Sequence, residues 1–88
     1  MATLVLAVTG FAATAWADGP AGAACAGKLT PDGKAIYTAA VAAKPTMETV
    51  KAVIEKEARS LAMGGKIARA SARDNAMAAG ECVKTGLQ

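Results

Sequence analysis

The sequence contains no histidine, and among its 88 residues there are only two cysteines, one tryptophan, one tyrosine and one phenylalanine. Transition-metal sites in small domains use histidine and clustered cysteine, and this chain has neither. Its serines also have no imidazole that could activate them as nucleophiles. We therefore expect no enzymatic activity, no metal and no cofactor.

Charged side chains are missing from the first 17 residues. This segment is apolar from Leu4 to Ala15 and closes with Ala15-Trp16-Ala17, which places small residues at positions −3 and −1 before Asp18. The pattern predicts a signal peptide over residues 1–17 and a periplasmic or secreted protein. The alternative is a buried N-terminal helix, which Asp18-Gly19-Pro20 would break.

The chain after the predicted cleavage site carries all ten basic and all seven acidic residues, and therefore the whole net charge of +3. Its only aromatic residue is Tyr37, so we expect no binding to nucleic acid through base stacking. We divide it into a Gly/Ala-rich lead segment, 18–28, and a single helical domain, 29–88. A core rich in alanine buries little apolar area, so such a domain needs a covalent link or a partner.

Cys25 and Cys82 are the two cysteines, and they lie near opposite ends of the predicted mature chain. In an exported protein they are expected to form a disulfide. Two alternatives are a pair of free buried thiols and a lipid anchor at Cys25. The lipid anchor is disfavoured because Gly22 stands where a large aliphatic residue would be expected.

Helix signals divide the rest of the chain into three segments, and no segment has the alternation of a β-strand. The first runs from about Pro31 to Ala43, with Thr30 as N-cap, and ends at Lys44-Pro45. The second is capped by Thr46 and stops at Gly64-Gly65. The third runs from about 66 to 79, before Gly80. We predict an all-α fold in which three antiparallel helices have their ends joined by the disulfide.

The apolar residues of each segment recur at helical spacing and predict which face is buried. The predicted inner positions are Ile36, Ala40 and Ala43 in the first helix, Met47, Val50, Ile54, Ala58 and Leu61 in the second, and Ile67, Ala70, Met77 and Ala78 in the third. On the second helix, the opposite side carries alternating charges at Glu48, Lys51, Glu55 and Arg59, which suits a solvent-facing surface.

Three basic residues at spacings of three and four, Lys66, Arg69 and Arg73, form a row on the predicted third helix. We call them the basic face and treat them as a candidate anion-binding face for lipid headgroups, a cell-wall polymer or an acidic partner. The alternative is an ordinary solvated face, because surface helices commonly carry such rows.

Scattered positions along the mature chain resemble the pattern of short, exported, helical two-cysteine proteins of bacteria. These positions are Cys25, Ile36-Tyr37, Arg59-Ser60-Leu61, Met63-Gly64, Ile67, Ala72-Arg73, Ala78-Ala79-Gly80 and Cys82. The resemblance implies an exported helical domain and no particular activity. In architecture alone, the chain is also similar to periplasmic acid-stress chaperones, which are small, helical and held by one disulfide.

From these patterns we expect a small exported helical protein that acts by binding a protein partner or by a structural interaction. Two alternatives stay open: a stress protein resembling the periplasmic chaperones, and a basic peptide that makes weak contact with an anionic membrane or cell-wall surface.

The predicted signal peptide can be tested through tryptophan, because Trp16 is the only one in the sequence. Cleavage before Asp18 removes it, so protein purified from the exported fraction should have the mass of residues 18–88 and no tryptophan fluorescence. Intact mass spectrometry and an emission spectrum measure both. Tryptophan emission from the exported protein would contradict the prediction.

Overall fold

The computed structural model describes residues 20–88, and the predicted signal peptide lies outside that range. The described chain forms four α-helices and no strand, which confirms the all-α class. The helices are α1 (Pro20–Ala26), α2 (Pro31–Ala42), α3 (Val50–Met63) and α4 (Ala72–Leu87). A three-helix arrangement is not confirmed, because part of the Gly/Ala-rich lead segment is itself helical.

The start of α2 agrees with the sequence signals. The Gly33 backbone N–H donates to Thr30 Oγ1 at 3.0 Å, so the Thr30 side chain caps the helix with Pro31 in its first turn. The same hydroxyl donates to Asn75 Oδ1 at 2.8 Å. The cap therefore also ties the start of α2 to α4. At the other end, the backbone of Lys44 turns to a positive φ of 55° and the chain leaves the helix.

The helix α3 begins at Val50, later than Thr46. Between them, the Thr46 N–H donates to Thr49 Oγ1 at 2.8 Å and the Thr49 N–H to Thr46 Oγ1 at 3.3 Å, which closes a turn before the helix. The helix ends as the glycine pair predicts. Gly65 has a φ of 74°, and the N–H groups of Gly65 and Lys66 donate to the carbonyls of Ala62 and Leu61, a Schellman motif.

The boundaries of α4 differ most from the sequence prediction. The helix begins at Ala72 rather than near 66, and it continues through Gly80 to Leu87. Gly80 lies on a side of α4 that faces α3, and a Cβ at this position would be at an ordinary contact distance, 3.7 Å, from Ile54 Cγ1. The packing of α4 against the other helices thus favours helix at a residue that local propensity disfavours.

The core lies around α4, which packs against each of the other three helices. Its largest fully buried side chains are Ile36, Val50, Cys82 and Val83. The predicted inner positions Ile36, Ala40, Val50, Ile54, Ala58 and Ile67 are buried, and Leu61 is half-buried.

The remaining predicted inner positions, Ala43, Met47, Ala70, Met77 and Ala78, are exposed, so this part of the prediction is wrong. Ala43 and Ala70 lie outside the helices, and Met47 lies in the turn before α3. On α4, the buried residues are Ala79, Cys82 and Val83. Because these three positions define the inner face of the helix, Met77 is turned outwards, and Ala78 lies at the edge of that face, about 100° around the helix from Ala79.

The predicted disulfide is confirmed: Cys25 and Cys82 are bonded, with Cα atoms 5.3 Å apart. Cys25 lies within α1 and Cys82 within α4, rather than before and after the helices. The bond closes a loop across 57 residues of sequence and fastens α1, a helix of seven residues, to the core. An isolated helix of this length would be unstable in water, so α1 depends on that attachment.

Reducing the disulfide should strongly lower stability. In the chain-entropy model, a loop of this size contributes about 4 kcal/mol. Reduction, or the substitution Cys82→Ala, should lower the melting temperature by about 10 °C or more, at roughly 4–8 °C per kcal/mol. Thermal melts followed by circular dichroism with and without reductant measure the effect. Identical curves would contradict it.

Two glycines should respond oppositely to alanine. Gly80→Ala meets only ordinary contact distances inside a helix, so it should raise stability by up to about 1 kcal/mol. Gly65→Ala places a side chain at positive φ and should lower it by about 1–2 kcal/mol. Parallel melts of the two variants give the sign. Destabilisation by Gly80→Ala would contradict the prediction, because it would show that the added methyl group does not fit between α3 and α4.

Candidate functional site

The three residues of the basic face do not lie on one helix. Lys66 and Arg69 belong to the connection 64–71, and only Arg73 lies on α4. All three are exposed. The spacing of three and four therefore creates no helical row, because α4 begins after Arg69. Binding of anions by this face stays a prediction.

The connection 64–71 is fastened to the body of the protein between its two basic residues. The Ile67 side chain is buried, and the Ala68 N–H donates to Asp32 Oδ2 at 3.0 Å, near the start of α2. Lys66 and Arg69 therefore lie on either side of an anchored point in the chain.

The disulfide is a structural element of the core. Cys82 is 1 % exposed, and neither cysteine is a free thiol. Among residues 20–88 there is no group of three or more side chains suited to holding a metal ion. The residues that could contact another molecule must be sought on the surface.

A groove with a volume of about 900 Å³ lies between α3 and α4. Its floor consists of small or buried residues: Ile54, Ala58, Ala62, Ala72, Ala76 and Gly80. The α3 rim carries Lys51, Glu55 and Arg59, and the α4 rim carries Arg73, Met77, Glu81 and Lys84. An apolar floor between charged rims suits the binding of an amphipathic surface.

The two rims run in opposite directions. The connection 64–71 joins the end of α3 to the start of α4, so the helices are antiparallel. The approach of Gly80 to Ile54 fixes how they align. Counting residues from this contact along both helices places Lys51 across from Lys84 and Glu55 across from Glu81. These alignments are accurate to about half a helical turn.

At the end of the groove next to the connection, Arg59 lies across from the stretch between Arg73 and Met77. Both rims therefore read basic, acidic, basic along the groove, with like charges facing each other. The rims cannot neutralise one another across the floor.

The rim charges are largely without partners in the protein itself. Lys51, Glu55, Arg59 and Arg73 form no ion pair with any residue in the part of the chain described. Glu81 and Lys84, neighbours on the same rim, form an ion pair of 3.8 Å. Their side chains are 77 % and 43 % exposed. Pairs in such contact with water contribute little to stability, so this one is easily exchanged for another.

Met77 is the large apolar side chain on the rims, and it is 65 % exposed. Methionine adapts its shape to different partners and is common on binding surfaces. Its position on the α4 rim places an apolar contact beside the floor.

The sequence patterns did not reveal this groove. They placed Met77 in the core and treated Lys51, Glu55 and Arg59 as a solvent-facing row. One signal could have corrected the first error, since a disulfide cysteine inside a helix is expected to face inwards. Met77 precedes Cys82 by five positions, which at 3.6 residues per turn places it about 140° around the helix from the cysteine.

Comparison with known proteins adds no family to this picture. No protein-family model matches the chain, and no curated protein or solved structure is significantly similar to it. The resemblance to exported two-cysteine proteins stays a prediction. Within residues 20–88, each helix is too short or too polar to span a membrane.

Proposed function

We propose that this protein is a small exported interaction domain that binds a protein partner in the groove between α3 and α4. The observation that carries the proposal is the exposed Met77 beside an apolar floor, within rims on which four of the six charges form no ion pair in the part of the chain described. Apolar surface framed by polar residues is typical of protein-binding sites. The disulfide supports export, since such bonds persist in oxidising compartments.

In the proposed function, one part of the molecule stabilises the fold and another part contacts the partner. The bond between Cys25 and Cys82 and the core around α4 keep the fold together, while the outward face of α3 and α4 is left for contact. A pair of helices that is already folded and packed loses less conformational freedom on binding than an unfolded segment would, which favours affinity from a small surface.

A second candidate, contact with an anionic membrane or cell-wall polymer, rests on the exposed basic face. Lys66, Arg69 and Arg73 are concentrated near the connection 64–71. Reversing all three to Glu would remove such contact. Binding in the groove should survive at least the changes at Lys66 and Arg69, which do not line it.

Site-specific photo-crosslinking tests the groove. The full chain, produced in its host, would carry p-benzoylphenylalanine at Met77 or, as a matched control, at Thr38, an exposed residue of α2 outside the groove. We expect a discrete adduct with one protein at Met77 and none at Thr38. The same adducts at both positions, or none at Met77, would contradict the proposal.

The captured protein would then be identified, purified and titrated against two variants with the same change of charge, Met77→Lys and Thr38→Lys. Because burying a methionine side chain contributes about 1.5–3 kcal/mol, Met77→Lys should weaken binding by about tenfold or more. Thr38→Lys should leave it unchanged. Equal affinities would show that the groove is not the site.

A further inference from the structure

The order of the charges along the two rims indicates which kind of protein partner would fit the groove. Going along α3, Lys51, Glu55 and Arg59 alternate in sign at intervals of four residues. At 1.5 Å of rise per residue, each interval spans about 6 Å and the whole row about 12 Å. The α4 rim repeats the order basic, acidic, basic alongside it, with about 12 Å of rise from Arg73 to Glu81 and about 4.5 Å from Glu81 to Lys84.

A helix is the occupant that matches this geometry. Its own residues at i, i+4 and i+8 lie on one side with the interval of about 6 Å that the α3 rim has, and their positions match the α4 charges to within about half a turn, so charges on its flanks could meet each rim. The small alanine side chains of the floor, and Gly80, which has no side chain, allow a third helix to approach closely. Binding of an amphipathic helix in a groove is a common mode of recognition.

A second copy of this chain is a poor occupant of the full groove. In a symmetric dimer that stacks two such grooves face to face, the two-fold axis can run along the groove or across it. With the axis along the groove, each charge meets the charge at the same level of the opposite rim. With the axis across the groove, each charge meets the charge at the other end of its own rim. Because the order basic, acidic, basic is the same in both directions, like charges would meet everywhere. The groove therefore disfavours self-association over its whole length.

We propose that the groove binds an amphipathic helix of another protein, an inference that rests on the proposed function. This helix would have a small apolar face flanked on both sides by charges in the order acidic, basic, acidic. The four basic and two acidic residues of the rims would each meet an opposite charge. Such complementarity gives specificity and orientation in addition to the affinity from the apolar floor.

Two synthetic helical peptides of identical composition test the charge order. Both have an alanine face and are stapled to equalise helicity; one carries Glu, Lys, Glu at i, i+4 and i+8 on each flank, the other Glu, Glu, Lys. In either direction, the second peptide meets like charge at two of three positions. With the oxidised protein, fluorescence polarisation should show the first peptide binding at least about tenfold more tightly. High salt should reduce the difference.

A charge-reversed pair of variants assigns the effect to the groove. Glu55→Lys with Glu81→Lys makes both rims entirely basic and should abolish the preference between the peptides. Glu48→Lys with Glu57→Lys changes the net charge equally, outside the groove, and should preserve it.

Equal affinity for the two peptides, no binding of either, or a preference that survives Glu55→Lys with Glu81→Lys would overturn the inferred charge order. The proposed function would then be judged separately by crosslinking at Met77. A partner captured there despite failure of the peptides would mean that the groove is the site and the partner's chemistry is different.

Discussion

The covalent bond between Cys25 and Cys82 is the constraint on which the rest of this structure depends. It joins α1 to the interior of α4, and α4 is the helix that contacts all the others. The core contains few large side chains, with Tyr37 its only aromatic residue in the described chain. Because small side chains bury little apolar area, the core itself contributes little to the free energy of unfolding. The disulfide, which restricts the unfolded chain, therefore contributes a large share of that free energy.

The same bond determines which side of α4 faces outwards. With Cys82 turned towards α1, Ala79 and Val83 enter the core and Met77, Glu81 and Lys84 lie on the outer side. Gly80 faces Ile54 where α3 and α4 pack together, and the small residues of the two helices leave a shallow apolar floor between them. The constraint that stabilises the fold thus also creates the surface proposed to bind a partner.

The arrangement of charge on that surface follows from antiparallel packing. Each helix alone has a rim of alternating charge that would be ordinary on a solvated helix. Side by side in this alignment, the rims place like charges across from each other, so the two helices cannot neutralise one another and an external partner is favoured. The proposed helical partner supplies the opposite charges in the required order.

The sequence by itself determined the features that depend on neighbouring residues. These are the helical class, the Thr30 cap, and the ends of α2 and α3 at Lys44-Pro45 and Gly64-Gly65. The pairing of the cysteines, 57 positions apart, was predicted on a different ground, the inferred compartment and the presence of only two cysteines. Local hydrogen bonds and backbone preferences act over three or four residues, so they can be recognised in the chain. Only the tertiary structure decided that the short, alanine-rich α1 is helical, that α4 continues through Gly80, and that two rows of charge form one groove. Each of these depends on contacts between residues far apart in the sequence, for which no local pattern exists.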